Sequence, residues 1–111
     1  MDLTQEASHD AVYQAIAHHT RREILALLRS GPKPVNEIAR NFRISQPAVS
    51  QQLRVLLDAS LVGAEADGRR RIYRLNPEPL RLVQDWVARA IADPSGHVWV
   101  FRSSSSLKKG H

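Results

Sequence analysis

Residues 44–57 read ISQPAVSQQLRVLL, and they carry the signals of a helix with a defined start and one buried side. Ser45 is a preferred N-cap residue, and Pro47 fits the first turn because its missing N–H would have no intrahelical partner there. Apolar side chains then recur at helical spacing at Val49, Leu53, Leu56 and Leu57. The run therefore predicts an amphipathic helix whose other side is polar and exposed.

A shorter helix is predicted just before this run. Its apolar positions are Val35, Ile38, Ala39 and Phe42, and Arg43-Ile44 forms a tight connection to the next helix. Two short helices joined by such a turn form a helix-turn-helix, whose second helix typically enters the major groove of DNA. The two segments together therefore predict this motif.

Two more helices are predicted on the N-terminal side. The spacing of apolar residues favours a first helix over 11–19. Thr20 is expected to be the N-cap of a second helix, because Glu23 follows three residues later and would complete a capping box. Gly31-Pro32 ends that helix.

After residue 61 the pattern changes to two short extended segments, 61–66 and 71–75, around Asp67-Gly68. Asp-Gly is a strong hairpin signal because Gly accepts a positive φ. Asn76-Pro77 then opens a last helix that runs to about residue 93. The predicted fold class is mainly α, a winged helix-turn-helix with about five helices and a two-stranded antiparallel wing. Residues 1–95 are expected to form this domain, and 96–111 a flexible extension, first apolar and then rich in Ser and Lys.

The charge balance narrows the class of partner. The 111 residues carry a net charge of +5 and a pI near 10.4, which favours nucleic acid or an anionic membrane face. The chain has no cysteine, which excludes disulfides, thiolate metal sites and thiol nucleophiles. No apolar run approaches the ~20 residues that span a bilayer, and the first residues are too polar for a secretory signal. A cytoplasmic protein with no membrane partner is expected.

Several linked motifs, in this order and spacing, resemble those of the ArsR/SmtB family of winged-helix repressors. They are TRREILALL at 20–28, VNEIA at 35–39, ISQPAVSQQL at 44–53, Leu61-Val62 and GRRRIYRL at 68–75. The likeness runs from about Val12 to Ile91, most of the chain. It implies a homodimer formed through the first and last helices, which represses its own or an adjacent operon until an effector relieves it.

This chain departs from the family's pattern at two positions. Ser60 stands where relatives often carry Gly, at the turn that closes the recognition helix, so this turn lacks the residue best suited to positive φ. Gln52 stands where a His is common in the recognition helix. The second departure is expected to change sequence preference or to leave Gln52 positioning the helix on the DNA backbone.

Two groups of polar side chains are predicted to bind DNA. On the recognition helix, hydroxyls, amides and a guanidinium suit base edges or phosphates. These residues are Ser45, Gln46, Ala48, Ser50, Gln51 and Arg54. At the wing, Arg69, Arg70 and Arg71 are expected to follow the phosphate backbone or to enter a narrow minor groove. Between Arg40 and Arg74, seven arginines face three acids, a balance of +4, so most of the net charge lies in the segment assigned to DNA.

The last helix has more apolar surface than one small monomer is expected to bury, which predicts a dimer on a pseudo-palindromic operator. The predicted interface is Val12, Ile16, Leu80, Val83, Trp86, Val87, Ala90 and Ile91. Val98, Trp99, Val100 and Phe101 extend this apolar surface, and they would either cover the dimer or bind a ligand.

Metal sensing and catalysis are not expected. Relatives that bind soft metals carry cysteines at the start of the third helix, where this chain has Pro34 and Asn36. Relatives with a metal site on the last helix carry an Asp-x-His pair there, whereas in this chain Asp85 is followed by Trp86-Val87. Among the histidines, His97 is the candidate ligand if a metal does bind. No catalytic motif occurs, so the chain is predicted to be no enzyme and to need no cofactor.

The effector remains open between a small molecule bound by the terminal helices and a partner protein. Two other functions compete with specific repression: a winged helix that binds proteins only, and a protein that coats nucleic acid without sequence preference. The first of these would need an apolar patch on the exposed side of the recognition helix, where the sequence places polar residues.

Overall fold

The structure is a computed structural model that describes residues 3–92, 94–96 and 100, with side chains from residue 9 onward. The helices of this part are α1 (Leu3–Ile16), α2 (His19–Leu28), α3 (Val35–Ala39), α4 (Gln46–Asp58) and α5 (Leu80–Ile91). The strands are β1 (Lys33–Pro34), β2 (Val62–Asp67) and β3 (Arg70–Leu75). The predicted fold class, helices with an antiparallel wing, is confirmed. Among the described helices, none combines the length and the apolar character needed to cross a membrane.

Helix α4 begins where its sequence signals place the start. Ser45 is the N-cap, with extended backbone angles, and its Oγ accepts a hydrogen bond of 3.2 Å from the N–H of Ala48. Val49, Leu53 and Leu56 are completely buried, which confirms the predicted inner side. A local cap and a regular apolar stripe thus fix both the start and the rotation of this helix.

The end of α4 is a Schellman motif, which satisfies carbonyls that the helix itself leaves free. Leu61 donates its N–H to the Leu56 carbonyl at 2.9 Å, and Ser60 donates to the Leu57 carbonyl at 2.9 Å. Ser60 takes the left-handed conformation that this motif requires, with a φ of 61°. The backbone strain expected at Ser60 is therefore present, because a residue with a Cβ occupies a position that favours Gly.

The end of the wing is fastened to the same turn. The Asn76 side chain donates from Nδ2 to the Ser60 carbonyl at 2.8 Å, and its backbone N–H donates to the Leu61 carbonyl at 2.8 Å. The residue that follows β3 thereby holds the residues that precede β2.

The predicted capping box of α2 is wrong. The N-cap is His18, whose Nδ1 accepts a hydrogen bond of 3.2 Å from the N–H of Thr20. Because the helix begins at His19, Thr20 already lies in its first turn and is not the cap. Glu23 lies instead beside His19, with Oε1 3.0 Å from Nε2, one turn apart on the exposed side of the helix.

The sheet has one more strand than the two-stranded wing predicted, and its order is β1-β3-β2. β1 pairs with β3, Lys33 opposite Tyr73 and Pro34 opposite Ile72. A two-residue strand that ends in Pro shows no alternation in its sequence, so its pairing could only be seen in the fold. The hairpin turns at Gly68, whose φ is 64°, with Asp67 opposite Arg70.

One core joins the first four helices to the sheet. Its buried side chains come from α1, α2, α3, α4 and the segment 59–73. None of the twelve residues of α5, all of which are described, is buried. Leu80, Leu82 and Val83 only pack against the edge of the core. The last helix therefore lies outside the core of its own chain.

Candidate nucleic-acid interface

The exposed side of α4 forms one shallow concave surface near the start of the helix. Five residues line it: Gln46, Pro47, Ser50, Gln51 and Arg54. Amide, hydroxyl and guanidinium groups there provide both donors and acceptors, as base-edge recognition requires. We call these five residues the reading surface.

Four of the six predicted recognition-helix residues lie in the reading surface, and two do not. Ser45 caps the helix, and Ala48 is half-buried to one side. Pro47 also belongs to the surface, although it is not among the predicted DNA-binding residues, because its position in the first helical turn is already explained by its missing N–H. Its ring is exposed and apolar, as contact with a thymine methyl group requires.

Arg54 is free to exchange its partner. Its Nε lies 3.5 Å from Asp58 Oδ1, but the two side chains are 78% and 71% exposed. Exposed ion pairs of this kind contribute at most about 1 kcal/mol. A base edge or phosphate can therefore replace Asp58 at little cost.

The wing arginines are not equivalent, because side chains on a strand alternate between its two faces. Arg71 shares the face of Tyr73, which is buried against the helices. Arg70 points to the opposite face, and its Nη2 lies 3.4 Å from Asp67 Oδ2. Arg69 lies in the turn between the strands, beyond both faces. The structure thus separates one paired arginine from two without an ion pair to another described residue.

The whole basic segment is exposed. All seven arginines between Arg40 and Arg74 are open to solvent, and only Arg54 and Arg70 pair with a carboxylate among the described residues. The other five are Arg40, Arg43, Arg69, Arg71 and Arg74. Positive charge that is not neutralised internally is what a polyanion surface attracts.

The predicted dimer residues divide into three groups by exposure. Trp86, Val87, Ala90 and Ile91 are exposed, with exposed fractions of 57% for Trp86 and 76% for Ile91. Ile16, Leu80 and Val83 are half-buried against the core. Val12 is only 3% exposed, so it belongs to the core of its own chain and has almost no surface for a second copy.

A residue missed by the sequence interpretation connects the two terminal helices. Tyr13 of α1 meets Trp86 of α5 edge to face, with ring centroids 6.4 Å apart and planes at 71°. The two rings border an open cleft of about 710 Å³ between α1 and α5. Leu82 and four polar side chains complete its lining, the polar ones being His9, Asp10, Asp85 and Arg89.

The first residues of α5 are polar on their outer side. Arg81 donates from Nε to Glu78 Oε2 at 2.6 Å. This hydrogen bond and the negative charge of Glu78 raise the pKa of Arg81 above its ordinary value.

No three His, Cys, Asp or Glu side chains lie close enough to hold a metal ion within the described part of the chain. His97, Val98, Trp99 and Phe101 lie outside the described residues, and so does the Ser- and Lys-rich segment. Val100 is described and is almost fully exposed.

Comparison with known proteins identifies the family. Residues 18–63, from α2 into β2, match the family described as bacterial regulatory protein, arsR family. The HTH-type transcriptional regulator Rv2034 of Mycobacterium tuberculosis is 48% identical over 73 residues, 66% of this chain and 68% of the relative. The chain belongs to the ArsR family. The transcriptional repressor SdpR of Bacillus subtilis is another relative, 36% identical over 68% of this ArsR-family chain and 84% of SdpR.

A solved structure agrees with the fold of this ArsR protein. It is the solution structure of the homodimeric winged helix-turn-helix DNA-binding domain Mb0332 from Mycobacterium bovis, described as a possible ArsR-family regulator. The two share 27% identity and superpose with a TM-score of 0.66 over 86% of this chain and 92% of the other. The chain is accordingly a winged helix-turn-helix transcriptional regulator.

In this ArsR chain, Gln52 stands where relatives often carry a His, and its side chain makes a contact that the sequence did not predict. Gln52 does not lie in the reading surface, although Gln51 beside it does. Its Oε1 accepts a hydrogen bond of 2.8 Å from Nη1 of Arg21, in α2. The recognition helix is thus tied to another helix through this side chain.

Proposed function

We propose that the chain is a dimeric repressor that binds a pseudo-palindromic operator in double-stranded DNA, in front of its own or an adjacent operon. The reading surface carries this proposal: it is polar, exposed and located at the end of α4 that enters a major groove in helix-turn-helix docking. Two copies of it would read two half-sites about one helical turn apart. Bound there, the dimer would exclude polymerase from the promoter.

The dimer part of the proposal depends on α5. Trp86, Val87 and Ile91 are large apolar side chains left exposed on one helix, a pattern typical of a contact surface. Half-buried Ile16 lies at the end of α1. The related Mb0332 is described as homodimeric, which supports the same assembly here.

The wing adds affinity without sequence information. Arg69 and Arg71 are the residues best placed to contact phosphates, since Arg70 would first have to leave its exposed ion pair with Asp67, at a cost of at most about 1 kcal/mol. Such contacts make the affinity depend steeply on salt concentration.

The same proposal indicates where an effector would bind and in which compartment the protein would act. The cleft between α1 and α5 would receive a small molecule or a partner protein, and binding there would shift the helices that hold the dimer together. We propose no catalytic role and no cofactor, and a regulator that meets the chromosome would act in the cytoplasm. Residues 1–95 would suffice for DNA binding and dimerisation.

A protein-binding winged helix is the less favoured function, because four of the five residues in the reading surface are polar. Selection of bound duplexes from a random pool by the purified protein tests the proposal directly. We expect an inverted repeat to emerge, and affinity for it to exceed that for a scrambled duplex at every salt concentration. Equal affinity for both duplexes would leave a coating protein, and no binding to either would leave a protein-binding module.

A further inference from the structure

A single arginine joins three helices at the back of the recognition helix. Arg21 of α2 donates from Nε to the Ala15 carbonyl at 2.8 Å and from Nη2 to the Gln14 carbonyl at 2.9 Å. Its Nη1 donates to Gln52 Oε1 of α4 at 2.8 Å. The last carbonyls of a helix lack intrahelical donors and carry its negative end, so a half-buried guanidinium is well placed there.

The position of Gln52 makes this contact relevant to base recognition. Gln52 follows Gln51 directly, so the two side chains leave α4 about 100° apart around its axis. Holding one fixes the direction of the other. A rotation of 10° about the axis would move the end of a side chain by ~1 Å, which is enough to spoil a bidentate hydrogen bond to a base.

We infer that Arg21 and Gln52 are positioning residues for DNA recognition, which set the rotation of α4 relative to α1. This inference rests on the proposed function. Because α1 belongs to the proposed dimer contact, the same link sets how the two reading surfaces are placed in the dimer. Arg21 and Gln52 need not touch DNA for this purpose.

Arg22 provides a matched control. It also caps α1, donating from Nη1 to the Ile16 carbonyl at 2.8 Å, and it has no bond to α4 among the described residues. Arg22→Ala and Arg21→Ala therefore each remove one positive charge and cap contacts at the same helix end. Only Arg21→Ala removes the tie to the recognition helix.

The measurement is the ratio of affinities for the selected duplex and a scrambled one, in full-length protein. Arg21→Ala and Gln52→Met should each lower this ratio about tenfold or more, as expected for losing one hydrogen bond to a charged group. Arg22→Ala should lower affinity for both duplexes alike and leave the ratio unchanged. Gln52→Glu keeps an acceptor for Arg21, so it should retain the ratio while weakening binding to both duplexes through its charge.

Two further readouts separate positioning from plain stability. The double variant of Arg21→Ala and Gln52→Met should lower the ratio no further than either single change, since both remove the same bond. Duplexes with one base pair added or removed between the half-sites should be rejected by the wild type and accepted more readily by either single variant. A role in stability alone would lower the melting temperature and leave both readouts as they are in the wild type.

The possible failures are distinct. If wild-type protein discriminates but Arg21→Ala and Gln52→Met discriminate equally well, the positioning role is wrong and the repressor proposal stands. If the wild type itself does not discriminate between the duplexes, the proposed function fails and takes this inference with it. Gln52→Met keeps the question answerable even if Arg21→Ala does not fold.

Discussion

Helices α4 and α5 both have a regular apolar side, but they use it differently. In α4, Val49, Leu53 and Leu56 are completely buried in the core of the chain. In α5, Trp86 and Ile91 are 57% and 76% exposed, and no residue of the helix is buried. The apolar side of α4 holds one chain together, whereas that of α5 has room for a second copy.

The largest expected effect is on the buried side of α4. Leu53→Ala should lower the free energy of unfolding by about 2–5 kcal/mol, because it leaves a cavity where packing was complete. Val55→Ala is the control on the same helix, with 37% of the residue exposed, and it should cost less than ~1 kcal/mol. Chemical denaturation measures both, and equal losses would contradict the assignment of the core.

The exposed side of α5 should affect assembly instead. Trp86→Ala should weaken the dimer about 30-fold or more, since an aromatic side chain buried at the centre of an interface typically contributes ~2 kcal/mol or more. Gln84→Ala, an exposed polar residue of the same helix, should leave the dimer unchanged. Sedimentation over a range of concentrations measures this, and a dimer indifferent to Trp86→Ala must form through another face.

Substitutions on the polar side of α4 are expected to change neither the stability of the fold nor the dimer. Gln51→Ala should cost roughly 1–3 kcal/mol at particular base pairs of the operator, because a bidentate amide contact is lost. Unfolding and sedimentation should match the wild type. A uniform loss of affinity for all duplexes would show that Gln51 contacts the backbone.

Local signals were sufficient to predict α4 and the hairpin, although the equally local capping-box signal at Thr20 was wrong because His18 caps α2. Ser45, Pro47 and the apolar spacing at Val49 and Leu53 act within a few residues of each other, so the helix and its reading surface followed from them. Gly68 placed the hairpin turn in the same way. These elements form for reasons that neighbouring residues already contain.

Contacts between distant segments could not be predicted in this way. Arg21 and Gln52 are 31 positions apart, and Tyr13 meets Trp86 from the other end of the chain. The apolar spacing of α1 predicts Val12 in the dimer interface, but the structure buries Val12 in its own chain, because spacing does not show which apolar residues face the chain's own core. Spacing shows that a residue is turned inward on its helix, and only the packing shows what covers it.

Substitutions of the wing arginines should have smaller effects than the substitutions in α4 and α5. Arg71→Ala should reduce the slope of log affinity against log salt by about 0.9, the loss of one phosphate contact. Arg70→Ala should reduce it less, because Asp67 competes with the phosphates for Arg70 through an exposed ion pair. The two variants are compared by measuring their affinity for DNA at salt concentrations between about 50 and 200 mM. Equal reductions would show that Arg70 leaves Asp67 when DNA binds.

The smallest expected effect lies at the turn that ends α4. Ser60→Gly should stabilise the protein by about 0.5–1 kcal/mol, because it removes the strain of a side chain at a φ of 61°. Ser60→Ala retains the strain and should bring no gain. Thermal unfolding measures the difference, and a loss of stability in Ser60→Gly would show that the hydroxyl group compensates the strain.

Asn76 has a consequence for the length of DNA that each subunit covers. Its two hydrogen bonds fasten the base of the wing to the turn after α4, so in the proposed complex the wing and the recognition helix would reach the duplex together. The six residues of β2 span about 20 Å, the rise along roughly six base pairs. The footprint of one subunit should therefore extend at most about six base pairs beyond the bases that it reads, and it should stop abruptly there.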